Sequence, residues 1–276
     1  MLRIAIPNKG TLSRPASDML REAGYRQRTD DRDLTCLDSD NDVEFFYLRP
    51  RDIATYVDSG DLDLGVTGQD LLIDSGSPVR QLLSLGFAGA TFRFAAPDPS
   101  ISLAGQRIAT SYPRVVERYL AEHEIKAQVV KLDGAVENAI RLGVADVIAD
   151  VVATGSTLRQ AGLVPMGEPI LVSEAVLIGR QEATNGPVAQ LLRRLQGVLV
   201  ARRYVMLAYD VRADQLDDAC AITPGIEGPT ISPLHREGWV AVQAMVKRAE
   251  VHRIMDELYE LGARAILVTD IHACRL

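Results

Sequence analysis

The sequence predicts an α/β clamshell followed by a small, separate α+β domain. Three observations carry this. From Leu2 to Ile178, short apolar runs alternate with segments of helical period, the pattern of mostly parallel sheets covered on both faces. The alternation runs through two rounds, the second starting near Thr91, which implies two lobes with chain crossings between them. Beyond Arg203 the order becomes β-α-β-β-α-β over roughly 70 residues, the ferredoxin-like arrangement and enough chain for one small core. The expected division is 1–203 and 204–276, with lobe I near 1–90 and 171–203 and lobe II near 91–170.

In lobe I, strands are predicted over Leu2–Pro7, Val43–Leu48 and Leu64–Thr67, and helices over Leu12–Ala23, Arg51–Val57 and Gln69–Asp74. In the second round Phe92–Ala96, Arg107–Ala109 and Gln128–Leu132 read as strands and Val115–His123 as a helix. A helix over Val136–Leu142 and a short buried strand over Val147–Ala149 follow. Leu171–Ile178 reads as one strand returning to the first lobe. Pro187–Arg203 is a helix carrying Val188, Leu191, Leu192, Leu195, Val198 and Leu199 on one stripe. The last domain has predicted strands over Tyr204–Val211, Gly225–Leu234, Trp239–Val246 and Ala265–Ile271. Its helices are Asp214–Cys220 and Val251–Leu261.

Hydrophobic residues make up 47% and charged residues 24% of 276, an ordinary globular composition. Net charge is −7 without a block of Lys or Arg, so nucleic acid is not an expected partner. Cys36, Cys220 and Cys274 have no close spacing, which argues for a reducing compartment and against a disulfide frame. His123, His235, His252 and His272 lack metal-ligand spacing. No apolar run reaches the length of a membrane span, and Met1 leads straight into a strand, so no signal peptide and no membrane are expected and the expected compartment is the cytoplasm.

The richest chemistry lies in Asp146–Leu158. Val147, Ile148 and Ala149 read as strand, Asp150 as the acid at its end, and Thr154-Gly155-Ser156-Thr157 as a turn opening a helix. Such a turn offers free backbone N–H groups, three hydroxyls and a helix dipole to a phosphate. It equally reads as a capped helix with Thr154 or Ser156 as N-cap. Asp150 can face sugar hydroxyls or a metal ion, so a phosphorylated sugar is the expected ligand. Three turns of lobe I follow strand ends. Asn8-Lys9-Gly10 offers a cation and close backbone approach, and Arg49 points where a polyanion would sit. Arg51 and Asp52 read as the start of the next helix. In Thr67-Gly68-Gln69-Asp70-Leu71, Asp70 is either a helix N-terminal charge or an acceptor for an amine.

The run Glu137…Gly143-Val144-Ala145…Ile148-Ala149-Asp150-Val151…Thr154-Gly155-Ser156-Thr157-Leu158 resembles the signature of the ATP phosphoribosyltransferase family, which opens histidine biosynthesis. It shows no departure from that pattern, and the resemblance extends over essentially the whole chain. It implies a catalytic part with the two-lobed, type II fold of periplasmic binding proteins. It implies that 5-phosphoribosyl-1-pyrophosphate (PRPP) binds at Asp150, Val151, Ala153, Thr154, Gly155, Ser156 and Thr157, its ribose near Glu137 and Asp150. ATP is implied at Lys9, Gly10, Arg49, Thr67, Gly68, Asp70 and Leu71. The expected catalytic set is Asp150, Glu137, Lys9 and Arg49. The expected reaction is displacement of pyrophosphate by N1 of adenine, with inversion and with Mg²⁺ on the leaving group.

The same resemblance implies the long form, in which the last domain binds inhibitory histidine and no separate regulatory subunit is needed. Matching positions are Asp210, Ile226, Thr230 and Ala265. Asp210 also reads as an ordinary edge carboxylate. The family forms dimers and hexamers, which makes this chain an expected homo-oligomer. Two alternatives stand beside this reading: a cytosolic clamshell sensor without catalysis, and a phosphoribosyltransferase for another base.

Overall fold

The computed structural model describes residues 1–152, 155–180 and 186–275. The chain packs as two compact units, Met1–Arg21 with Tyr25–Val188, and Glu22–Gly24 with Ala189–Leu276.

The first unit contains β1 (Leu2–Pro7), α1 (Ser13–Glu22), β2 (Thr35–Asp38), β3 (Val43–Leu48), α2 (Ile53–Ser59), β4 (Leu64–Gly68), α3 (Gln69–Ser75) and β5 (Arg80–Ser84). Then come β6 (Ala90–Ala96), β7 (Arg107–Thr110), α4 (Pro113–Glu122), β8 (Gln128–Lys131), β9 (Val147–Val152), α5 (Ser156–Gln160), β10 (Val164–Ser173) and β11 (Ala175–Gly179). They form two sheets, ordered β2-β3-β1-β4-β11-β5 and β10-β6-β9-β7-β8. In the first, β1 runs parallel to β3 and β4, while β11 enters antiparallel beside β4. In the second, β7 runs parallel to β8 and β9, while β6 enters antiparallel beside β9. Each sheet thus accepts one strand that has just crossed from the other lobe. This is the two-lobed topology that the alternation predicts, and the type II binding-protein fold that the family resemblance implies. Ile4, Ala5 and Ile6 on β1 and Val147, Ile148 and Ala149 on β9 are fully buried, as central strands covered on both faces must be.

The two crossings are bonded to each other. Ala90 pairs with Ser173. Leu85 N–H donates to Ala175 O (2.9 Å), Ala175 N–H to Phe87 O (3.0 Å), and Gly86 N–H to the Glu174 carboxylate (3.2 Å). Glu174 O takes the N–H of Gln69 (3.0 Å), so the chain turns there from one sheet to the other. Leu171–Ile178 is therefore two strands in two sheets, not the single strand its apolar run predicts.

Other elements differ from expectation for identifiable reasons. The helix predicted over Val136–Leu142 is a single 3₁₀ turn, Val136–Asn138, between Ala135 (φ 49°) and Gly143 (φ 70°). So short a segment closes too few i→i+4 bonds to offset nucleation. Of the strand predicted over Gly225–Leu234 only Thr230–Pro233 pairs, because Gly225 (φ 70°) and Gly228 (φ 141°) hold a turn. The helices predicted from Arg51 and Asp214 begin as 3₁₀ turns, Pro50–Asp52 and Ala213–Gln215. Strands β2 and β5 went unpredicted; both lie at sheet edges and carry mostly partly exposed residues.

The second unit takes most of α6 (Gly186–Arg203), then β12 (Tyr204–Arg212), α7 (Leu216–Ile222), β13 (Thr230–Pro233), β14 (Trp239–Lys247), α8 (Val251–Leu261) and β15 (Arg264–Asp270). Its antiparallel sheet, ordered β13-β14-β12-β15, is ferredoxin-like. Val205, Leu207, Tyr209 and Val211 on one face of β12 pack with Val242, Val246, Ile254 and Leu258. Gly197 of α6 sits where an added Cβ would stand 2.0 Å from the Cys274 carbonyl oxygen. Among the described residues, no helix is long and apolar enough to cross a membrane.

Candidate active site

Lys9 and Gly10 follow the C-terminal end of β1, and Gly10 takes a left-handed φ of 77°. Gly68 ends β4 and caps α3, which places Asp70 in the first turn of that helix. Lys9, Gly10, Gly68, Asp70 and Leu71 line a cavity of about 320 Å³ whose far wall, Tyr112 and Val151, comes from lobe II. A second cavity of about 200 Å³ is lined by Glu137, Asp150, Val151, Val152, Gly155, Thr157 and Leu158. Val151 belongs to both, so the two cavities adjoin. A third, of about 550 Å³, runs from Lys9 and Gly10 past Arg14, Arg21 and Arg28.

Two carboxylates dominate the electrostatics. Burial pushes Asp150 above the usual carboxylate range, and Glu137 and Asp70 add to the rise; the Val151 N–H (2.8 Å) and the Arg51 cation oppose it. Asp70, 7% exposed, is likewise raised by burial and opposed by the Leu71 N–H (2.9 Å) and Arg51. Its own N–H donates to Ser173 Oγ (3.1 Å). The phenol of Tyr112 is pushed up by burial first, then by Asp70 and Asp150.

Asp150 lies inside β9, paired with Arg93, rather than beyond the strand's end, because β9 continues to Val152. Glu137 sits half-buried on the 3₁₀ turn facing the same cavity. Gly155 (φ 69°) is the N-cap of α5 and makes no side-chain cap; Ser156 and Thr157 are exposed. With five residues, α5 has a small dipole, so any anion at the turn would depend mainly on its N–H and hydroxyl groups. Ala153 and Thr154 lie outside the described residues.

Thr67 is fully buried and donates its hydroxyl to Pro50 O (2.9 Å), which fixes the turn after β3. Arg49 is the exposed residue before that turn and lines none of the three cavities above. Sequence reasoning missed Tyr112, Arg51 and Arg159. The Arg51 guanidinium lies 2.8 Å from Asp74 and 4.9 Å from the Tyr112 ring centroid. A Cβ at Gly155 would stand 3.3 Å from Arg159 Nη1, which puts a cation beside the turn. Arg159 was open to discovery, since it stands four residues after Gly155 on the helix the turn begins.

In the second unit, Asp210 is half-buried on the open face of the sheet, opposite the core face of β12. It pairs with Ala241 and Arg264. Thr230 pairs with Gln243 two rungs away, and Ala265 (φ 49°) marks the register shift between β12 and β15. Ile226 is 37% exposed in the turn before β13.

The family described as ATP phosphoribosyltransferase matches residues 49–197, and the family of its C-terminal domain matches 201–273. The chain belongs to the ATP phosphoribosyltransferase family. Curated ATP phosphoribosyltransferases from Salinispora tropica and Streptomyces avermitilis are 67% and 62% identical, each covering 100% of both chains. A solved ATP phosphoribosyl transferase (HisG:HisZ) complex from Thermotoga maritima is 27% identical with a TM-score of 0.62, covering 72% of this chain and 98% of that one. As an ATP phosphoribosyltransferase the chain is an enzyme of histidine biosynthesis, not a sensor, with ATP and PRPP as its substrates.

Proposed function

We propose that the cavity of Glu137, Asp150 and Gly155–Thr157 holds PRPP, that the cavity of Lys9, Gly68, Asp70 and Leu71 holds ATP, and that they react where the two adjoin at Val151. The shared wall is the observation that carries this, because it sets an acceptor and a donor side by side. The 5′-phosphate rests on the Gly155–Thr157 turn with Arg159 beside it. Glu137 and Asp150 take hydrogen bonds from the ribose hydroxyls. Lys9 neutralises the triphosphate from the cavity wall and Arg49 from outside it, on the exposed turn before the lining residue Pro50; the adenine lies against Leu71 and Gly68 with Asp70 facing its amine.

N1 of adenine forms the new bond to the anomeric carbon as the bond to pyrophosphate breaks, with inversion. Positive charge gathers on the anomeric carbon, and ionised Asp150 stabilises it. Holding both substrates in line supplies roughly 7–11 kcal/mol of barrier reduction in favourable cases, so no nucleophile–His–acid set is required. Glu137 and Asp150 are oxygen donors on one cavity wall, and among the described residues no three His, Cys, Asp or Glu side chains converge on a metal position. Glu137 and Asp150 would be the protein's oxygen donors to a magnesium ion arriving with the pyrophosphate, and the ion would supply neutralisation of the leaving group.

Residues 204–276 are the regulatory part in this reading, with histidine on the open sheet face at Asp210, Ile226, Thr230 and Ala265. Inhibition then requires histidine to favour one conformation or assembly, either the dimer or the hexamer of this chain alone. The cytoplasm is the proposed compartment.

The test mixes the purified chain with ATP, PRPP and Mg²⁺, with and without histidine, and follows the ultraviolet change on N1 alkylation. Product suppressed by histidine is the expected result. Product without suppression removes the histidine site; no product removes the assignment of both cavities.

A further inference from the structure

Residue Asp74, near the end of α3, is not part of either substrate cavity, yet it joins two groups, one in each lobe. Its side chain is 9% exposed. One carboxylate oxygen accepts the Arg51 guanidinium at 2.8 Å, and the other accepts the backbone N–H of Arg114, at the start of α4 in lobe II, at 3.1 Å. The Arg114 guanidinium returns the contact by donating to the carbonyl of Ser75. Gly76, in a left-handed conformation at the end of α3, leaves the space that this guanidinium fills; an added Cβ there would overlap it. Arg51 is thereby held over the ring of Tyr112, which lines the cavity assigned to ATP.

We propose that Asp74 is a positioning residue: its carboxylate brackets α3 to α4 and fixes the Arg51 cation beside Tyr112, where it meets the polyphosphate of a bound substrate. This rests on the assignment of the cavities above. An aspartate with both oxygens engaged holds a guanidinium in one orientation. A cation held so meets its anion without first losing side-chain freedom. Arg51 is 47% exposed even with Asp74 in place, so without that carboxylate it is a long side chain in half-open surroundings, free to leave the Tyr112 ring. Lobe II enters through Arg114, so the cation's place is tied to the relation of the two lobes.

The experiment is a double-mutant cycle on the full chain, with ATP, PRPP and Mg²⁺. Wild type, Asp74→Asn, Arg51→Met and the double variant are compared for kcat, KM for each substrate and thermal midpoint. Asp74→Asn keeps the shape and removes the charge. Asp74→Asn and Arg51→Met should each lower kcat/KM by roughly 10- to 100-fold, the range a small misplacement of a binding group costs. The double variant should be no worse than Arg51→Met alone, because the two residues act as one unit. An Asp74 that acts apart from Arg51 would multiply its kinetic loss with that of Arg51→Met, which overturns the proposal whatever the thermal midpoint does; the bracket between α3 and α4 is itself expected to lower that midpoint in Asp74→Asn. Unchanged kinetics in Arg51→Met overturn it as well, whether or not Asp74→Asn folds. A wild-type chain that makes no product counts against the cavity assignment instead, and so is told apart from an active wild type with indifferent variants.

Discussion

Each lobe brings a carboxylate to the cleft, Asp70 buried and Asp150 half-buried, and they build it differently. In lobe I, Asp70 belongs to a helix: it sits in the first turn of α3, bonded to Leu71 and anchored through Ser173. In lobe II, Asp150 belongs to the middle of a strand and shares its cavity with a second acid, Glu137. A carboxylate at a helix start has the dipole and N–H groups to hold its charge. One on a central strand has little beyond its neighbour's N–H, so its charge is left to act on whatever enters the cavity. In the proposed function this difference corresponds to recognition by lobe I and charge stabilisation by lobe II.

Exchanging the two acids is the severest way to break that contrast. Asp150→Asn should cut kcat by on the order of 10²–10³-fold while the thermal midpoint holds or rises, since a half-buried charge disfavoured by desolvation is removed. Asp70→Asn should act chiefly on KM for ATP. Steady-state kinetics showing equal loss of kcat in both variants would remove the division of labour.

Next in size is packing. Gly65→Ala on β4 would set a Cβ 2.3 Å from Ile53 Cγ2 in the lobe I core, at a cost of about 1–3 kcal/mol in urea unfolding. Gly155→Ala in lobe II meets looser surroundings but a φ of 69°, at about 1–2 kcal/mol, and it should raise KM for PRPP more than Gly65→Ala does. Denaturation midpoints with paired KM values decide.

The acid limb of kcat/KM sharpens the contrast further. The proposed mechanism uses Asp150 ionised, and burial raises its pKa, so activity should fall away at a pH above the ordinary carboxylate value of 3.8. The sign for stability is opposite to that of a paired acid. Between its unfolded and its raised folded pKa, the native state holds the extra proton, so this group's contribution to stability declines as pH rises through that window. A pH–rate profile with its acid limb at 3.8 or below would contradict the burial described for Asp150.

The smallest effect belongs to Asp146, which takes Arg107 in a bidentate pair at the edge of β7 and β9 and is held down at about 2. Its contribution to stability is full above 3.8 and is lost as pH falls through about 2. Asp146→Asn should lower the thermal midpoint slightly at neutral pH, and the difference should vanish in strong acid.

Long, strongly patterned elements were legible in the chain itself. β1, β3 and α8 occupy the residues predicted for them, because an apolar run or a helical stripe bounded by polar residues leaves one choice. Legibility failed where tertiary bonds decide. The turn at Glu174 depends on an N–H from Gln69, far away in sequence. The Arg51–Asp74–Arg114 bracket joins residues 23 and 40 apart, with no local pattern to announce it. At the site, Lys9, Gly68, Asp70, Glu137 and Asp150 were named from strand ends, turn chemistry and the family resemblance, and they line the two cavities. Tyr112 was not named, because an aromatic before a helix looks like any other.

The pairing of Ala90 with Ser173 has a further consequence. The first and last residues of lobe II are neighbours on adjacent strands, about 4.8 Å apart. Lobe II is therefore a cassette, a loop of lobe I that has grown its own sheet. A short turn could replace it and let β5 lead directly to β11, and the excised piece would carry its termini side by side, ready for circular joining or grafting onto another host.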